Sequence, residues 1–276
     1  MARLMVARIS ETASMVPTDR TFAVVTQGIM HGCEPISHRG SGTVGALVLH
    51  GFAGSPFSVH GVADALVGAD VDVEVPLLPG HGTVVDDLSR TSWDDWHGEA
   101  ERVFAELSNR VNDCVVVGQS MGATLGLTLA LQRPEIRAMV CINPLTRRRS
   151  SEELAMIDDL LADGFEVIPG EGSDIADPDG FDISYDGTPL AAVRSLLVDG
   201  VAPIETRFSS LRMPLRLFTS RVDHVVDPAD SEHLAATWGG AVDHVWLERS
   251  FHVATRDLDR SIVEAAVVEV AKGAAR

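Results

Sequence analysis

The run Val115-Val116-Val117-Gly118-Gln119-Ser120-Met121-Gly122 decides how the chain folds. Three β-branched apolar residues end a strand, Gly118, Ser120 and Gly122 have G-x-S-x-G spacing, and the apolar stretch that follows is long enough for a helix. A strand that turns at once into a helix needs small residues beside the turn, because larger side chains would collide there, and Ala123 continues the small run. Such a bend is strained. It lifts the serine hydroxyl clear of the sheet and sets it at a helix N-terminus, where backbone N–H groups and the helix dipole favour negative charge.

Outward from this elbow, short apolar runs alternate with helix-length segments after about residue 40. Strands are expected at 44–49, 71–75, 114–117, 137–142, 215–219 and 242–247, with an additional edge strand at 21–25. Helices are expected at 58–67, 93–107, 121–131, 228–238 and 257–270. Several of the strands are almost continuously apolar, as in a sheet buried on both faces. The rhythm therefore predicts an α/β fold, with a mostly parallel central sheet and helices on both sides. Asp227 ahead of Pro228 reads as an N-cap with proline at the first helical position, and Pro134 stops the helix that begins near Ser120.

Between 145 and 212 the alternation lapses, and helical segments at 154–161 and 190–198 flank an acidic, glycine-punctuated stretch at 174–180. An insertion here would sit above the carboxyl ends of the strands, where open α/β sheets bind ligands, so a small cap is expected. The division is then a partly disordered N-terminal extension over 1–20, a core made of 21–144 and 213–276, and a cap insertion over 145–212.

At 276 residues the chain fits one large domain, and no apolar run approaches the roughly 20 residues of a membrane span. A formal net charge of −18 would repel a phosphate backbone and an anionic lipid surface, which argues against nucleic acid and against stable membrane insertion. Cys33, Cys114 and Cys141 lack metal-ligand spacing and read as buried thiols. Residues 1–17 are broken by polar residues before a signal-peptide core can form, so a cytoplasmic protein is expected. Oligomeric state is not readable.

A serine hydroxyl needs a base to take its proton, and the base needs a partner that sets its tautomer. In sheets built around this kind of elbow the order is serine, then acid, then histidine, each on a loop after a strand. Asp223 and Asp227 both follow the expected strand at 215–219; since Asp227 is accounted for as a cap, Asp223 is the candidate acid. His252 lies after the last strand and is the candidate base, whereas His224, His233 and His244 are explained by a loop, a helix and a strand start. A second oxyanion donor is sought in the loop His50-Gly51-Phe52-Ala53-Gly54-Ser55-Pro56, where the Phe52 N–H could join that of Met121; His50 reads as a brace for the loop.

Together with Pro76-Leu77-Leu78-Pro79-Gly80-His81-Gly82, Asp223-His224-Val225-Val226-Asp227-Pro228 and Ser250-Phe251-His252, these motifs resemble bacterial monoacylglycerol lipases and small carboxylesterases of the α/β-hydrolase fold. The resemblance runs from about residue 40 to the end. It implies a compact cap, an apolar acyl tunnel, no cofactor or metal, and the triad Ser120, Asp223 and His252. The expected chemistry is hydrolysis of a small-molecule carboxylic ester of short to medium acyl chain, monoacylglycerols among the candidates, through an acyl-enzyme. The same triad would serve a thioesterase, an amidase or a C–C bond hydrolase. A non-catalytic ligand-binding protein of this fold is the alternative from another class.

Overall fold

In the computed structural model, which describes residues 28–170 and 172–274, the chain opens with strands β1 (Ile36–His38) and β2 (Val44–Leu49), helix α1 (His60–Gly68), β3 (Asp72–Val75), a short α2 (Val85–Leu88) and α3 (Trp93–Ser108). Next come β4 (Asp113–Gln119), α4 (Met121–Ala130) and β5 (Ile136–Ile142). Segment 145–212 holds α5 (Ser151–Ala162), the short pair β6 (Val167–Pro169) and β7 (Gly187–Pro189), and α6 (Leu190–Ser195). β8 (Leu215–Ser220), α7 (Ala229–Thr237), β9 (Val242–Leu247) and α8 (Arg260–Ala274) follow.

Among the described residues, seven strands form one sheet in the order β1-β3-β2-β4-β5-β8-β9. Every pairing is parallel except β1 with β3, where Ile36 lies opposite Val75. The edge strand expected at 21–25 and the extension 1–20 lie outside the described residues. After β2 the chain moves to one side of the sheet to make β3, then crosses back to make β4 on the other side. The loops after β2 and β4 therefore diverge at a topological switch point, where open α/β sheets leave a crevice.

The alternation of side chains along each strand fills two layers. Leu47, Leu49, Val116, Met139 and Leu217 point towards α3 and α4, while Ala46, Val48, Val115, Val117, Val140 and Phe218 point towards α1 and α8. With both faces covered, the strands have no polar side to show, which is why their sequences read as unbroken apolar runs. α3 starts where Asp95 accepts the Ser92 N–H at 2.9 Å, and it buries Trp93, Trp96, Ala100, Val103, Phe104 and Leu107 at helical spacing. Burying a side chain such as Phe104 contributes about 1.5–3 kcal/mol.

Segment 145–212 has no core of its own. Ile157, Leu190, Val193, Leu197, Ile204 and Phe208 join the layer that holds α3 and α4. The helix expected over 190–198 is shorter as an α-helix, because Leu196–Val201 widens into a π turn. There Gly200 lies against Trp93, and an added Cβ would come within 2.5 Å of the indole. α8 also begins later than expected, because the Asp257 carboxylate is engaged with N–H groups of other segments, including those of Ala176 and Phe251. No helix of the described residues is long and apolar enough to cross a membrane.

Candidate active site

Ser120 sits between β4 and α4 with φ 53° and ψ −119°, a left-handed conformation that L-residues rarely adopt. The surroundings enforce it. A Cβ on Gly118 would come 2.4 Å from the backbone of Gly122, and one on Gly122 would come 2.1 Å from the Leu49 carbonyl oxygen, so neither position admits a side chain. The Ser120 N–H donates to the Ile142 carbonyl at 2.9 Å, which ties the turn to β5 and leaves the hydroxyl facing a cavity. Met121 is the first residue of α4, so its N–H has no carbonyl one turn before it.

Phe52, after β2, lines that same cavity, and among the described residues its N–H donates to no protein group. A Cβ on Gly51 would lie 3.4 Å from that of Ser120, so the two loops are in close contact. His50 holds the Phe52 loop from behind: Nδ1 donates to the Gly51 carbonyl at 2.9 Å and Nε2 accepts the Leu78 N–H at 3.2 Å. Complete burial, with His81 nearby, pushes its pKa down to about 3, so it acts as a neutral brace.

Beyond β8, Asp223 bends back on itself: Oδ1 accepts the N–H groups of Val225 and Val226, both at 2.8 Å, and Oδ2 lies 2.8 Å from His252 Nδ1. Both members of the pair are buried, at 2% and 8% side-chain exposure. Two N–H bonds fix one oxygen and so aim the other, leaving the His252 Nε2 side free for the cavity. Burial by itself favours a neutral imidazole, but the charge and hydrogen bond of Asp223, with Asp174 adding to them, outweigh it and raise the His252 pKa above the ordinary histidine value. Ser120 and His252 line one cavity, and no hydrogen bond joins the hydroxyl to the ring in this geometry.

The three other late histidines are engaged elsewhere. His224 Nδ1 bonds Asp174 Oδ1 at 2.8 Å, His233 Nε2 donates to the Glu205 carbonyl at 3.1 Å, and His244 Nε2 is 2.8 Å from the Thr219 hydroxyl. Asp227 accepts the Ala229 N–H at 2.9 Å at the start of α7.

Two polar residues that the sequence did not single out join these loops. Asn143 follows β5 with φ 45°, a conformation asparagine tolerates, and its Nδ2 donates to the Ser220 hydroxyl at 2.9 Å and to the His252 carbonyl at 2.8 Å. Its only signal was a polar residue directly after an apolar strand. Asp174, in the acidic stretch, accepts the His252 N–H at 3.1 Å. The resemblance implied an apolar tunnel; the cavity against Ser120 is walled on the side of segment 145–212 by Asp174, Asp182, Ser184, Tyr185 and Thr188, and its apolar groups include Phe52, Ala53, Val225 and Val253. Among the described residues no three His, Cys, Asp or Glu side chains are grouped to hold a metal ion.

Residues 46–274 match a family model described as "Alpha/beta hydrolase family". The thermostable monoacylglycerol lipase of Bacillus sp. (strain H-257) is 33% identical over 239 residues, 85% of this chain and 92% of that protein. A carboxylesterase of Bacillus subtilis (strain 168) is 23% identical over 86% of this chain and 95% of its own length. Among solved structures, one from work on LipS and LipT, two metagenome-derived lipolytic enzymes, superposes with a TM-score of 0.83 at 31% identity, covering 89% of this chain and 100% of its own. The monoacylglycerol lipase of Paleococcus ferrophilus shares the fold, with a TM-score of 0.67 at 16% identity, over 87% of this chain and 98% of its own.

Proposed function

The chain belongs to the alpha/beta hydrolase family and is a carboxylic ester hydrolase, and we propose that it acts on esters of short to medium acyl chain, monoacylglycerols among them, through a Ser120–His252–Asp223 relay. Ser120 attacks the ester carbonyl while His252 accepts its proton, and the charge that develops on the carbonyl oxygen meets the N–H groups of Phe52 and Met121. His252 returns the proton to the departing alcohol. Water, deprotonated by the same ring, then releases the acid from the acyl-enzyme. Asp223 keeps the proton on Nδ1 and so leaves Nε2 free to accept.

The observation that carries this reading is the buried Asp223–His252 pair, 2.8 Å apart, on the wall of the cavity that Ser120 faces from its elbow. Segment 145–212 is the proposed cap. The hydroxyls of its Ser184 and Thr188, on the wall of that cavity, suit the hydroxyls of a small polyol leaving group. Apolar residues along the acyl path would add about 0.8 kcal/mol per methylene buried.

A p-nitrophenyl ester series run beside 1-monoacylglycerols and acyl-thioesters tests the substrate class. Faster turnover of thioesters than of matched oxygen esters would overturn it. For the chemistry, Ser120→Ala is expected to lower kcat by about six orders of magnitude and to abolish labelling by a fluorophosphonate. Full turnover by that variant would sink the relay.

A further inference from the structure

The proposed cap reaches the histidine loop through its acidic stretch, and the two segments hold each other. Asp174 Oδ2 accepts the main-chain N–H of His252 at 3.1 Å and that of His224 at 3.2 Å, while Oδ1 is 2.8 Å from His224 Nδ1. The Asp174 carbonyl also accepts the Val253 N–H at 3.0 Å. In return, the Asp257 carboxylate accepts the N–H groups of Ala176 and Asp177 at 2.8 and 2.9 Å, and on its own loop that of Phe251 at 2.7 Å. Asp257 is fully buried, and the Asp174 side chain is 13% exposed. His252 thus hangs in a loop whose main chain is fastened on one side by Asn143 and on the other by a carboxylate from segment 145–212.

We propose that Asp174 is a positioning residue for His252: a cap carboxylate that anchors the histidine main chain and whose charge stabilises the imidazolium formed when Ser120 Oγ gives its proton to Nε2. The proposal rests on the reading of His252 as the base. It gives one carboxylate of the acidic stretch a role at the site. It also makes the assembly of the base conditional on a seated cap, because the anchor belongs to the cap and the anchored ring to the core.

The titratable groups facing His252 come from several segments. Asp223 approaches from the loop after β8, with His224 beside it and bound to Asp174; Asp182 lines the same cavity, where Ser58 donates to both its oxygens at 2.9 and 2.8 Å. On the histidine's own loop, Arg256 lies over the Phe57 ring and Asp257 is held by the N–H groups named above. Asp174 is therefore one of two carboxylates bonded directly to His252, one at the ring and one at the main chain.

The test measures ester hydrolysis against pH for the full chain and for Asp174→Ala, Asp174→Asn and, as a control on the same stretch, the exposed Asp179→Asn, with thermal unfolding alongside. Asp174→Ala is expected to lower kcat about tenfold or more, with a smaller change in KM. Asp174→Asn keeps an acceptor oxygen for the His252 N–H and is expected to recover a large part of that loss. Both variants lose the charge, so the acid limb of kcat/KM moves to lower pH in both, while Asp179→Asn follows the parent. Parental kcat and an unmoved limb in both Asp174 variants would overturn the proposal. So would a loss of kcat that tracks a lower unfolding temperature, with no shift of the limb and no recovery by asparagine. A His252→Ala variant with parental turnover would instead overturn the reading underneath it.

Discussion

His252 is where opposing effects on one side chain can be weighed by experiment. Burial disfavours its charge, Asp223 and Asp174 favour it, and the balance lies above the ordinary histidine pKa of about 6.5. In its proposed role as base, His252 works as neutral imidazole, so activity is expected to fall as pH drops through this raised value. The acid limb of kcat/KM for an ester is therefore expected above pH ~6.5. Asp223→Asn removes the stronger attraction and the tautomer control together, and is expected to move the limb down and lower kcat by roughly three to four orders of magnitude. A limb at or below ~6.5 in the parent would mean that burial wins. At this scale the sequence was readable where a residue had a local alternative explanation. Asp227 could be set aside as a cap, and it does accept the Ala229 N–H. Asp174 gave no such handle, since its partners, His224 and His252, lie 50 and 78 residues further along the chain.

The strand–turn–helix around Ser120 was legible because everything that shapes it is contiguous: an apolar strand, three small residues and an apolar helix within one short window. What could not be read was which part of the molecule each glycine makes room for. Gly118 is excluded from bearing a side chain by Gly122, a local effect, but Gly122 is excluded by the carbonyls of Leu49 and His50 on β2 and its loop. Gly122→Ala forces backbone against backbone, so it is expected to cost about 1–3 kcal/mol or more. It would also shift Ser120 and Met121 relative to Phe52, with activity falling further than stability. Urea unfolding midpoints and kcat/KM measured together test this, and an alanine variant of parental stability would contradict the contact. Element boundaries slipped where tertiary bonds took over local ones. The start of α8 moved because the Asp257 carboxylate serves the N–H groups of Ala176, Asp177 and Phe251.

Across the whole molecule, the buried apolar side chains of segment 145–212 belong to the layer already formed by α3, α4 and the sheet. A segment without its own core has nothing to hold it folded apart from the rest, so the chain is expected to unfold in one transition. Near-ultraviolet and far-ultraviolet circular dichroism should coincide through a urea titration, and an early loss of part of the signal would show an independent segment. Hydrophobic period determined the layered α/β architecture, and the G-x-S-x-G motif on its apolar flanks determined the elbow, because each of these depends on neighbours in the chain. The tertiary structure alone decided which loops meet above the sheet. It set Asp223 against His252, drew Asn143 across from β5, and brought Asp174 in from segment 145–212. Those contacts depend on strand order and on the seating of segment 145–212, and hydrogen bonds between residues 29 to 109 positions apart leave no periodic trace in a sequence.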